Sequence, residues 1–147
     1  MKEKIRYKEF ELASKEELYF FYYLDELKLN GFIKDIVYQP ESIVICERKE
    51  LEYEEKGKIK QSFLLHPLTY TADFKVIWED KAENIFFGSI KPTKYPFICQ
   101  IVDGIKTSLI DTKGTFIGTH NNSALTFPLI QKILYDKQGV YVNKTVV

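Results

Sequence analysis

Asp111 and Lys113 stand two residues apart in the stretch SLIDTKGTF. In an extended chain alternate residues share a face, so the acid and the amine project together while Thr112 points away. A carboxylate and an ammonium at one strand end can work on a single substrate atom, the acid holding a cation or a proton and the amine offsetting developing negative charge. The pair also fits a solvated outer face, because exposed strands commonly alternate charge. Other polar positions extend the set. Glu17 lies three residues after Ser14 in SKEELY, Asp73 lies in YTADF, and Gln131 and Tyr135 in QKILY are one helical turn apart. Each has a plainer reading: Glu17 as a capping-box residue, Asp73 as a strand-edge acid, Gln131 and Tyr135 as a solvated and a half-buried helix residue. His66 and His120 have neither ligand spacing nor a partnered cysteine, which argues against a zinc site.

These residues need elements to position them. Ser14, followed by Lys15, Glu16 and Glu17, predicts a helix over about 15–30 that carries Leu18, Phe21, Tyr22, Leu24 and Leu27 at helical spacing and stops at Gly31. FIKDIVYQP reads as a short strand ended by Pro40, and SIVICERKELEYE and KIKQSFLLH as two strands around a turn at Gly57. In YTADFKVIW the alternation puts Tyr70, Ala72, Phe74, Val76 and Trp78 on one face and Thr71, Asp73, Lys75 and Ile77 on the other. FICQIV, the turn dipeptide Asp103-Gly104 and IKTSLIDTK read as a hairpin. ALTFPLIQKILYDKQG predicts a second helix with Leu125, Leu129, Ile130, Ile133 and Leu134 in a stripe and Pro128 in its first turn or at a kink. VYVNKTVV is a closing strand.

At 147 residues, 45 % hydrophobic and 29 % charged, the chain has the size and composition of one domain, 1–147. No apolar run approaches the roughly 20 residues a membrane helix needs, and no signal peptide is visible, so a cytoplasmic protein is expected. Cys46 and Cys99 are isolated thiols in apolar settings and read as small core residues. The formal net charge is zero and arginine occurs only at Arg6 and Arg48, which excludes nucleic-acid binding by bulk attraction alone. Such a role has to rest on a local patch or a bound metal.

The order of helix, strands, helix and strand, with SKEELY, YTADF and IDTKG in sequence, resembles the PD-(D/E)XK nuclease superfamily. A small phage-encoded branch of that superfamily is closest, through the segment IKDIVYQP, and the QKILY spacing resembles the Q-x-x-x-Y of the RecB and lambda-exonuclease types. The resemblance covers most of residues 14–147. It implies an α/β (α+β) fold with a restriction-endonuclease-like αβββαβ core, a mixed central sheet flanked by helices. It also implies a divalent-metal-dependent nuclease hydrolysing DNA phosphodiester bonds in recombination, repair or replication. Asp73, Asp111, the backbone carbonyl of Thr112 and Glu17 would then hold Mg2+ or Mn2+, Lys113 would act on the water and the scissile phosphate, and Gln131 and Tyr135 would contact substrate. DNA is the implied partner, a homodimer is left open, and a non-catalytic nucleic-acid or protein-binding module on the same fold stands as the alternative. The chain departs from the pattern in its 38 positions from Asp73 to Asp111, read as an insertion over about 79–104 whose Phe86, Phe87, Tyr95 and Phe97 are expected to cover the core, with a dimer contact or a lip over the site as the alternatives. After Lys113, Thr115, His120 and Asn121 fall in a polar stretch beside the expected site.

Overall fold

The computed structural model describes residues 5–82, 97–113 and 123–146, and the chain divides into two compact units, Met1–Pro40 with Ala72–Val147, and Glu41–Thr71. The single domain expected over 1–147 thus carries a second unit at 41–71, ahead of the stretch read as the insertion. Most of that stretch, including Phe86, Phe87 and Tyr95, lies outside the described residues, as do Thr115, His120 and Asn121.

In the first unit, β1 (Ile5–Tyr7) and β2 (Phe10–Leu12) form a short antiparallel hairpin that sequence patterning had not suggested. Ser14 caps α1 (Lys15–Leu29) by accepting from the Glu17 amide, and Gly31, at φ 81°, takes the left-handed conformation that ends it. β3 (Ile33–Tyr38) pairs antiparallel with β8 (Phe74–Trp78), and β8 pairs antiparallel with β10 (Ile105–Lys113). β9 (Gln100–Val102) covers the first part of the other edge of β10, turning at Asp103-Gly104, and β11 (Val142–Val146) runs parallel to the second part. Parallel neighbours need a crossover, which α2 (Ser123–Gln138) supplies. The unit is therefore a mixed, mostly antiparallel sheet with two helices, an α+β architecture in the order α1-β3-β8-β10-α2-β11.

Phe20, Phe21 and Leu24 of α1 bury against Phe74, Val76, Trp78 and Ile110 of the sheet, with Leu12 and Ile33 completing the core. Pro128 sits five places after Ser123, inside α2 and past its first turn, so the carbonyl at position 124 loses its helical donor. Phe127 and Leu134 are buried, but Leu129 is 58 % exposed, so the expected stripe on α2 is shifted toward Phe127. None of the described helices is long and apolar enough to cross a membrane.

In the second unit, β4 (Ile43–Cys46) pairs antiparallel with β7 (Leu68–Tyr70), and β5 (Lys49–Glu55) with β6 (Lys58–Leu65). The first expected arm is thus two strands, β4 and β5, and the second is β6 alone, while Tyr70 belongs to β7, separate from the β8 face on which alternation had put it. Lys56 and Gly57 both have positive φ, the conformation of a tight two-residue hairpin turn.

Candidate active site

Register brings the sequence-predicted acids together. β8 and β10 pair from Thr107–Ile77 to Ile110–Phe74, so continuing one residue places Asp73, just ahead of β8, opposite Asp111. Their carboxyl groups hydrogen-bond each other. Asp111 is 6 % exposed, and Asp73 is held in place by Thr112, whose amide and hydroxyl donate to Asp73 Oδ2 at 2.9 and 3.1 Å. Thr112 therefore contributes a donor pair that the sequence reading, which used only its carbonyl, had missed.

Burial, the hydrogen bond to Asp111 and that acid's charge push the Asp73 carboxyl up to about 9, against the opposing pull of the Thr112 amide. Two adjacent acids in a water-poor site cannot both ionise cheaply, so the pair keeps one proton. The charge of Glu17 adds to the effect, which puts this third acid within electrostatic reach.

Glu17 is 4 % exposed and multiply held. Its Oε2 accepts from the Ala13 amide at 2.8 Å and from the Tyr38 hydroxyl at 2.8 Å, while its own amide donates to Ser14 Oγ at 3.2 Å. The Ser14 cap starts α1 at this point, and the Glu17 carboxylate turns back to the Ala13 amide, one residue ahead of the Ser14 amide that a capping box would use. Burial and the bond to Glu17 raise the Tyr38 phenol well above its ordinary value. Tyr38 ends β3, and the next residue, Gln39, donates its amide to the Asp73 carbonyl at 2.8 Å from a left-handed backbone (φ 50°). Tyr38 and Gln39 are the Y and Q of the VYQP segment; the segment stood out in the sequence, the tyrosine did not.

Ala13 and Tyr38, the two partners of Glu17, also line a hollow of about 470 Å³ with Glu9, Glu11, Phe10 and Gln39. Its two glutamates suit a cation or water better than a phosphate. Thr145, the register partner of Thr112 on β11, is buried, and its Oγ1 has no hydrogen-bond partner among the described residues.

The remaining expected residues fall elsewhere or beyond description. Lys113 ends β10, paired with Val146, and its side chain lies outside the described residues. Gln131 donates its amide to the Val142 carbonyl at 2.7 Å, fastening α2 to β11. Tyr135 is 60 % exposed and meets Tyr141 edge-on. Gln131 thus makes a scaffold bond and Tyr135 lies at the surface.

Among the described residues no group of three or more His, Cys, Asp or Glu could by itself hold a metal ion. A hard cation such as Mg2+ does not need three, since it keeps several waters and takes one or two carboxylates. The Asp73–Asp111 pair fits that demand, for it holds a proton where a cation would relieve the same repulsion. No family model matches the chain, and no curated protein or solved structure shows a significant match to it.

Proposed function

We propose that the protein is a divalent-metal-dependent nuclease acting on DNA, with a restriction-endonuclease-like core formed by α1, β3, β8, β10, α2 and β11. One observation carries the reading: Glu17, Asp73 and Asp111, taken from a helix start and two strands distant in sequence, lie within electrostatic reach of one another, two of them sharing a proton.

Asp73 and Asp111, with the Thr112 carbonyl, would hold Mg2+ or Mn2+. Such a cation supplies Lewis acidity toward a phosphate and makes water a better nucleophile near neutral pH. The chain does the positioning. Thr112 fixes one Asp73 oxygen, which leaves the other for the cation or for the proton shared with Asp111. Glu17, clamped by Ala13 and Tyr38, adds negative potential without having to move. Lys113, on the same strand face as Asp111, supplies the ammonium that would orient water and offset charge on the phosphate. The family's setting adds recombination, repair or replication as the process, by resemblance alone.

The test is cleavage of labelled single-stranded, duplex, flap and four-way-junction DNA with Mg2+ or Mn2+, comparing wild type with Asp111→Ala and Lys113→Ala. Metal-dependent cutting that falls at least about 100-fold in both variants is expected for groups that act together on one phosphate. Cutting that survives Asp111→Ala, or no cutting of any substrate, would sink the proposal. The second outcome leaves a non-catalytic binding module on the same fold, a reading favoured by the engagement of Glu17 and Gln131 in scaffold bonds.

A further inference from the structure

The β5–β6 hairpin of the second unit is a ribbon with two chemically different faces. Every residue of β5 is exposed, and so are residues 58–62 of β6. Directly opposed residues share a face, and the register opposes Leu51 to Ser62, Tyr53 to Lys60 and Glu55 to Lys58, while Glu52 opposes Gln61 and Glu54 opposes Ile59. One face therefore carries Lys58, Lys60, Tyr53, Leu51 and Ser62 together with Glu55, which pairs with Lys60 at 3.2 Å and leaves this face one net positive charge against the three negative charges of the other. The other carries Glu50, Glu52 and Glu54 on one strand, with Ile59 and Gln61 across from the last two. The alternation that produces this split is legible in KELEYEEKGKIKQ once the register is fixed.

We infer that the Lys58–Lys60–Tyr53 face of this hairpin docks on the backbone of duplex DNA. Lys58 and Lys60 stand about 6.8 Å apart along the strand, and the face offers ammonium and hydroxyl donors flanked by exposed Tyr53 and Leu51. A two-stranded ribbon is also of a width that the major groove of B-form DNA admits. The glutamate row on the back rejects a polyanion, so the ribbon has one productive orientation and the zero net charge of the chain is no obstacle. A bare two-stranded ribbon is marginal in water, and a partner covering one face would stabilise it. That the polyanion is DNA rests on the nuclease reading; that this face meets a polyanion and the other does not is independent of it.

Two variants of the full chain change the net charge equally and differ only in the face they alter. Lys58→Gln with Lys60→Gln removes two positive charges from the proposed face, and Ile59→Glu with Gln61→Glu adds two negative charges to the back. All four side chains are exposed, so both proteins should fold. Binding to a labelled random-sequence duplex is measured in EDTA over a salt series. The first pair should weaken binding about tenfold and lower the log–log salt slope by about one to two, because each lost phosphate contact removes about 0.9 from that slope and Lys60 is shared with Glu55. The second pair should stay within about twofold of wild type, its charges facing away from the phosphates and screened by salt. Equal losses would show that only net charge matters and would overturn the inference. So would no loss in either variant, no duplex binding by wild type, or binding to heparin or polyglutamate in preference to DNA. Cutting that needs Asp111 but ignores the hairpin variants would refute this inference and leave the nuclease reading standing.

Discussion

A carboxyl that keeps its proton near neutral pH gives Asp73 two measurable signatures. In the unfolded chain it ionises at its ordinary value of 3.8, whereas in the fold burial and Asp111 raise it to about 9. Between those values the folded state binds the extra proton, so this group favours folding most fully below about pH 4, and its contribution is lost as pH rises toward 9. Asp73→Asn should therefore raise the melting temperature of the metal-free protein more at pH 8.5 than at pH 5.5. An equal shift at both values would show that Asp73 ionises normally. The second signature is proton release. Mn2+ binding at pH 7 should expel about one proton per ion, read by calorimetry in buffers of different ionisation enthalpy, and Asp73→Asn should abolish that release. A buffer-independent heat in wild type would mean that the ion does not displace the shared proton. Tyr38→Phe removes one of the two donors to Glu17 Oε2 and should cost about 1–2 kcal/mol in urea unfolding, a charge-assisted bond being worth more than a neutral one. A cost near zero would show that water replaces the phenol.

Elements are fastened to one another by a few buried polar groups. Asn143 of β11 is 1 % exposed; its Oδ1 accepts from the Ile98 amide at 2.7 Å, and its Nδ2 donates to the carbonyls of Ile98 and Leu109 at 2.9 and 3.1 Å. Asn143→Ala would take the side-chain partner from the Ile98 amide and one partner each from the Ile98 and Leu109 carbonyls, the Ile98 carbonyl keeping Ser108 Oγ at 3.5 Å, and should cost about 3 kcal/mol, seen as a lower urea midpoint. A change under about 1 kcal/mol would mean that water reaches the gap. Nothing in VYVNKTVV announced that role, because a lone asparagine in a strand reads as polar surface. Where local chemistry suffices, the sequence was legible: the Ser14–Glu17 cap located α1, and Asp103-Gly104 located the β9–β10 turn. The β1–β2 hairpin escaped because IRYKEFEL is short and highly charged and owes its place to Tyr7 and Phe10 packing on Phe21. The three acids were legible from their order along the chain. Their partners Tyr38 and the Thr112 hydroxyl were not, since cross-strand register alone selects them.

At the scale of the molecule, the second unit enters and leaves the first at neighbouring points. Gln39 and Asp73 are joined by a main-chain hydrogen bond of 2.8 Å, and Tyr38 pairs with Phe74. Replacing Glu41–Thr71 with a short Gly-Ser linker should leave the first unit folded, with cooperative thermal unfolding and the raised Asp73 carboxyl still visible by NMR. Loss of cooperative unfolding would show that the two units are stable only as one.

That adjacency also bears on the order in which the chain folds. Closing the Gln39–Asp73 bond encloses the whole of Glu41–Thr71 in a loop, whereas the β5–β6 hairpin closes over two residues and belongs to a class of structure that forms within about 1–10 μs. We expect the ribbon to form first and β3 to meet β8 late, with amide protection of Gln39 lagging that of Tyr53 in pulse-labelled refolding; the reverse order would refute this. Glu17 takes its clamp from Tyr38 at the end of β3, and Asp73 sits at the mouth of the same loop, so Glu17 is fixed beside the acid pair only when that loop shuts. A newly made chain could then pair Asp73 with Asp111 through β8 and β10 while Glu17 is still unclamped, the third acid joining the site last.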